Sequence, residues 1–107
     1  MKILLTGNGS FTNAMIERLD VKEIRIFSKA IKSWVIDKRI KYIEGNITDF
    51  KQVLKAIKGV DYVIHSAAIK HAGICEKNPI EPIETNVLGS INVVKACIQN
   101  KVKKVIL

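Results

Sequence analysis

The sequence predicts an α/β protein: a parallel sheet of about five strands, in the order 3-2-1-4-5, with helices on both faces. Short apolar runs recur at 2–6, 23–27, 40–44, 60–65 and 102–107. Segments between them carry apolar residues at helical spacing. The first run ends in a glycine turn, Thr6-Gly7-Asn8-Gly9. Strands alternating with helices at this rhythm give a parallel sheet. Right-handed crossovers then leave few strand orders, of which 3-2-1-4-5 is the one expected.

Each element has its own signal. Lys2-Ile3-Leu4-Leu5-Thr6 is a short apolar run of the kind that suits a strand buried on both faces. From Phe11 to Leu19, the apolar positions Phe11, Ala14, Met15 and Leu19 recur at helical spacing. Glu23 to Phe27 alternates polar and apolar, as a second strand. Residues 29–38 are ambiguous, a short helix or an irregular connection around Trp34. Ile40 to Glu44 alternates again and stops at Gly45. Asp49 reads as the N-cap of a helix carrying Val53, Leu54 and Ile57, with Gly59 as its stop. Val60 to His65 is a fourth strand. Pro79 to Asn100 is a long helix with apolar positions Ile83, Val87, Leu88, Ile91, Val94 and Ile98, and Val102 to Leu107 is the fifth strand.

The bulk properties bound what this chain does. Its 107 residues fit one domain, 1–107, and a chain of that size buries roughly two-thirds of its unfolded surface. An apolar fraction of 48% with 26% charged residues is globular. No apolar run approaches the ~20 residues that span a bilayer, and the opening run is too short for a secretory signal. A cytoplasmic protein with no membrane partner is expected. Cys75 and Cys97 have no zinc-like spacing to a histidine and read as reduced thiols. No metal site is expected. The net charge is +8, but fifteen of the eighteen basic residues are lysine, and only Arg18, Arg25 and Arg39 are arginine. They are scattered, without the clustered arginine and exposed aromatics of a base reader, so nucleic acid is not an expected partner. The positive field suits an anionic dinucleotide or nucleotide sugar.

Strand, glycine turn and helix in that order form the unit that holds a dinucleotide pyrophosphate in a Rossmann-type fold. In Thr6-Gly7-Asn8-Gly9-Ser10-Phe11-Thr12, Gly7 permits the tight turn and Gly9 the close approach of backbone to phosphate. Thr12 stands where the fingerprint has its third glycine. Its side chain is expected to push the helix outward or fill space. A plain strand-to-helix turn is the alternative reading. Strand two ends in Ser28-Lys29, with no acid for a ribose 2′-hydroxyl. A hydroxyl followed by a cation favours a 2′-phosphate, hence NADP rather than NAD. Asn46 follows strand three, where it either accepts from an adenine amine or forms a turn. His65-Ser66-Ala67-Ala68 ends strand four, where small side chains leave room for a cofactor. His65 and His71 show no catalytic or metal geometry. A phosphoacceptor receiver domain of the same class would need acids after strand one, and Thr6-Gly7 stands there instead.

Three longer stretches carry a family likeness: His65-Ser66-Ala67-Ala68-Ile69-Lys70-His71, Cys75-Glu76-Lys77-Asn78-Pro79, and Glu84-Thr85-Asn86-Val87-Leu88-Gly89-Ser90-Ile91-Asn92-Val93. They resemble the extended short-chain dehydrogenase/reductases, and within them the UDP-N-acetylglucosamine 4,6-dehydratases and neighbouring capsular-polysaccharide enzymes. Arg25-Ile26-Phe27-Ser28-Lys29 and Gly45-Asn46-Ile47-Thr48-Asp49 fit the same group. The resemblance implies a nucleotide-sugar lyase with tightly held NADP. A hydride leaves C4 of the hexose, water is lost across C5 and C6, and the hydride returns at C6. It further implies that Gly7, Gly9, Ser10 and Phe11 line the pyrophosphate, Ser28 and Lys29 the 2′-phosphate, and Asn46 the adenine. Ala67 and Ala68 would line the inner ribose, with Lys70 at the edge of the active site and Asn86 supporting its loops.

In that family the acid/base residues and the sugar-binding region follow strand five, whereas this sequence stops at Leu107 within it. The expectation is therefore a cofactor-binding portion, truncated in strand five, with no catalytic residue of its own. Nucleotide sugar would be the partner of the full-length family, and the strand-five edge would self-associate. The alternative is a stand-alone, non-catalytic NAD(P)-binding or partner-binding module.

Overall fold

The computed structural model describes residues 1–7, 10–31, 35–66 and 79–107, and only the backbone of Ser10 and Phe11. Five strands form one parallel sheet: β1 Lys2–Thr6, β2 Glu23–Ser28, β3 Ile40–Glu44, β4 Tyr62–His65 and β5 Lys104–Ile106. Their order is β3-β2-β1-β4-β5, as the sequence predicts. Three helices are described: α1 Ser10–Ile16, α2 Phe50–Ile57 and α3 Ile80–Gln99. Of residues 29–38, expected as a short helix or an irregular connection, 29–31 and 35–38 are irregular and 32–34 lie outside the described residues.

β1 lies between β2 and β4, with Ile3 opposite both Ile24 and Tyr62. Its Ile3, Leu4 and Leu5 are all buried, because apolar layers cover both faces of the sheet. On one face Ile3, Leu5, Ile24 and Ile26 pack with Ile16 of α1. On the other, Leu4, Phe27 and Val63 meet Val53, Ala56 and Ile57 of α2 and Val93, Ala96 and Cys97 of α3.

Local chemistry sets the helix ends. α1 stops at Ile16, earlier than the spacing out to Leu19 implies. Arg39 closes it, donating to the carbonyl of Ile16 at 3.2 Å and to that of Leu19. α2 begins as expected, with Asp49 accepting from the Gln52 amide at 3.3 Å, and Gly59 follows it at φ +79°. β5 is shorter than expected, and Val102 is bound instead to the end of α3, donating to Cys97 O at 2.9 Å.

α3 is where sequence and structure part. Its bounds fall one residue inside the predicted ones at each end, but the six apolar positions that mark it are exposed, from Val94 at 36% to Ile98 at 72%. The buried face is Pro82, Gly89, Asn92, Val93, Ala96 and Cys97. Small residues are needed there because the helix lies directly on the chain that follows β3. A Cβ at Gly89 would sit 2.8 Å from Ile47 Cγ2. Among the described residues, no helix is long and apolar enough to cross a membrane.

Candidate functional site at the strand ends

β1, β2 and β3 run to one side of the sheet and β4 and β5 to the other, so the switch point lies between the C-terminal ends of β1 and β4. Open parallel sheets take their ligands in that crevice. Thr6 and Gly7 form one wall. Gly7 has φ +97°, and a Cβ there would come within 3.3 Å of Ser66 Oγ, so a side chain would be strained by the backbone and crowd Ser66. The Gly7 amide donates to Phe27 O at 2.8 Å, which extends the sheet into the turn.

Three hydroxyls lock the crevice. Thr6 Oγ1 accepts from the Ser66 amide at 2.7 Å and shares a 2.8 Å hydrogen bond with His65 Nδ1. Ser66 Oγ donates back to Thr6 O at 2.5 Å. Burial pushes the pKa of His65 below its usual value, which keeps the ring neutral at physiological pH. Thr12 is buried and its hydroxyl donates to Gly7 O at 3.3 Å. The third fingerprint position is thus filled by a side chain that ties the helix to the turn.

The strand ends on the β2 side bear on two sequence alternatives. Ser28 Oγ donates to Ala30 O at 3.1 Å, a local turn, and Lys29 is exposed. The β2–β3 register sets Glu44 opposite Ser28, with Glu44 Oε1 accepting from the Ile31 amide at 3.4 Å. An acid therefore does stand beside the end of β2, brought from β3, where sequence spacing alone does not reveal it. For Asn46 the turn is realised: its Oδ1 accepts from Thr48 N at 2.9 Å and Thr48 Oγ1 at 2.7 Å.

Gly9, Ala67, Ala68, Lys70, His71 and Cys75 lie outside the described residues, as do the side chains of Ser10 and Phe11. The structure therefore brings together Gly7, Ser28, Lys29 and Asn46 along one edge of the sheet. On α3, Asn86 Oδ1 is buried with no hydrogen-bond partner among the described residues. A buried acceptor of this kind calls for a donor. Sequence reasoning missed Glu44, Thr12 as a positive contributor, and the inward Asn92. A glycine inside the helix at Gly89 is the one signal that marked the inner face, since glycine there costs about 1 kcal/mol against alanine. No group of three or more metal-ligating side chains occurs among the described residues.

Sheet order, the positive-φ glycine after β1 and the β1–β4 crevice define a Rossmann-type fold, and comparison with known proteins puts it among the extended short-chain dehydrogenase/reductases. The chain belongs to the polysaccharide biosynthesis protein family, whose model matches residues 3–107. It is 43% identical to the UDP-glucose 4-epimerase of Rickettsia akari (strain Hartford), over 94% of this chain and 33% of that protein. Among solved structures it is similar to Pen from Bacillus thuringiensis, with TM-score 0.87 and 36% identity over 97% of this chain and 35% of that one. It also shares the fold of a dTDP-glucose 4,6-dehydratase from Streptomyces venezuelae with NAD bound. There the TM-score is 0.83 and the identity 21%, over 98% of this chain and 38% of that one. The chain spans about a third of the length of the relatives it matches.

Proposed function

We propose that this chain binds the dinucleotide of a nucleotide-sugar enzyme acting at C4 of a hexose, with NADP preferred over NAD. The observation that carries the reading is the glycine turn at the switch point, where Gly7 adopts φ +97° against Ser66. Small residues at that point let a ligand approach backbone. Gly7, Gly9, Ser10 and Phe11 border the pyrophosphate, Ser28 and Lys29 the 2′-phosphate, Asn46 the adenine, and Ala67, Ala68 and Lys70 the inner ribose and active-site edge. When bound, the dinucleotide supplies a hydride acceptor. The residues of this chain hold and orient it, and the Thr6–His65–Ser66 hydrogen bonds fix the crevice walls.

The finer assignment is a UDP-N-acetylglucosamine 4,6-dehydratase of surface polysaccharide biosynthesis. It rests on the resemblance of residues 65–93 and agrees with the family match. A second reading, C4 epimerisation, is favoured by the Rickettsia relative. The two share their first step, since inverting C4 and eliminating water next to it both require a C4 ketone. Acid/base residues must be supplied to complete either reaction, so the expected behaviour of this chain alone is binding without turnover. Conversion of UDP-N-acetylglucosamine to a keto sugar by the purified chain would overturn that expectation.

Cofactor preference has an opposing observation in Glu44, whose carboxylate lies by the β2 end and disfavours a 2′-phosphate. Calorimetric titration with NADP and NAD separates the cases. Tighter NADP binding, weakened by Lys29→Ala and strengthened by Glu44→Gln, is the expected result; tighter NAD binding reverses the assignment.

A further inference from the structure

The segment Gly45–Asp49 after β3 is held from three directions. Gly45 N donates to Ser28 O at 2.9 Å, and Asn46 N to Gln52 Oε1 at 2.7 Å. The third hold comes from α3. Asn92, only 5% exposed, donates from Nδ2 to Ile47 O at 3.0 Å across 45 residues of sequence. One turn earlier on the same face, Gly89 leaves the space that Ile47 occupies. Ile47 is itself buried. A hydrogen bond on its backbone and a side-chain slot on its flank together fix one residue in position and orientation. The neighbouring residue is the exposed Asn46, whose side-chain carbonyl accepts from Thr48.

A buried asparagine in a helix core is costly unless its donor is used, and here the use is a loop carbonyl with no strand or helix to bind it. We infer that Asn92 and Gly89 are positioning residues for the adenosine end of the dinucleotide site, acting by fixing the Ile47 backbone and through it Asn46. This rests on the reading of the chain as a dinucleotide binder, and it adds α3 to the parts that shape the base pocket.

The test compares NADP with its adenosine half, adenosine 2′,5′-bisphosphate, by calorimetry on the chain and three variants. Asn92→Leu keeps the branching of the side chain, adds some bulk and removes the donor. Gly89→Ala keeps the hydrogen bond and drives a methyl into Ile47, while raising helix propensity. Gly89→Ala combined with Ile47→Ala restores the space. For the first two variants we expect affinity for both probes to fall together, by about tenfold, with the double variant recovering part of the Gly89→Ala loss. Should Asn92→Leu not fold, the Gly89→Ala pair carries the test alone. Two results overturn the inference while leaving dinucleotide binding intact: unchanged affinity with a lowered melting temperature, or a loss on NADP absent from the bisphosphate. Failure of the unchanged chain to bind either probe overturns both readings.

Discussion

Two of the three arginines direct their guanidinium groups at helix-end carbonyls. Arg25 donates from Nη1 to Ala56 O at 2.8 Å and Lys58 O at 2.6 Å, closing α2, while its Nε meets Glu23 at 2.7 Å. Glu23 also pairs with Lys41 at 2.9 Å. The hydrogen bonds from Lys41 and Arg25 hold the Glu23 carboxyl down at about 2. A depressed folded pKa stabilises the fold above the unfolded value of 4.5 and loses that contribution as pH falls from there through about 2. Lys41 is largely exposed, so the contribution is on the order of 1 kcal/mol. In urea titrations Glu23→Gln should be less stable than the parent at pH 6, with the difference closing as pH approaches 2. A constant difference would mean that the ion pairs are not its source. Cys97 behaves in the opposite sense: burial raises its thiol to about 11, so the reactive thiolate is scarce at neutral pH. In a Cys75→Ser background the folded chain should resist iodoacetamide at pH 8 and become labelled once urea unfolds it. Rapid labelling of the folded protein would show that the thiol is accessible.

At the level of elements, ends and faces obey different rules. α1 has no basic residue in its last turn, and its closing donors come from Arg39 on the connection before β3. Arg39→Gln should therefore destabilise the fold through freed carbonyls. A shift in urea midpoint without a change in slope would show it, and no shift would mean that water replaces the guanidinium at no cost. Caps of local origin were legible in the sequence. Asp49 and Gly59 mark the two ends of α2 within their own segment, and both are seen. The strand runs were legible too, because central parallel strands are apolar on both faces. The inward face of α3 was not legible. Its apolar stripe gives the helical period, but which face turns inward depends on Ile47, distant in sequence and in contact only after folding. The site divides in the same way. Gly7 and the Asn46 turn are local motifs and could be read. Glu44 beside Ser28, and Asn92 on Ile47, are products of register and packing and could not.

For the whole molecule, net charge and exposed apolar surface act against one another. Copies of a chain carrying +8 repel. Yet α3 shows a continuous apolar stripe, with Ile83 at 61% and Ile98 at 72% exposed, and β5 ends in Ile106 at 51%. The sequence directs attention to the strand-five edge as the sticky element, but more apolar surface lies on α3. Exposed stripes of that extent bury themselves against other chains. Glu81 and Glu84 sit near the start of α3, Lys95 lies in its C-terminal half and Lys101 just beyond its end. Antiparallel pairing of two α3 helices would thus bring opposite charges together while burying the stripes. Apolar association between like-charged chains should strengthen with salt. Between about 0.1 M and about 1 M the Debye length shrinks from about 10 Å to about 3 Å, which removes the long-range repulsion. Nucleic-acid binding by the same positive charge would weaken over that range as counterions compete. Sedimentation velocity should therefore show a larger mean mass at high salt, reduced by Ile83→Lys with Ile91→Lys and less affected by Ile106→Lys. If the β5 variant alone abolishes association, strand pairing is the contact. A mass that falls with salt would place the contact in charge pairs rather than in the apolar face of α3.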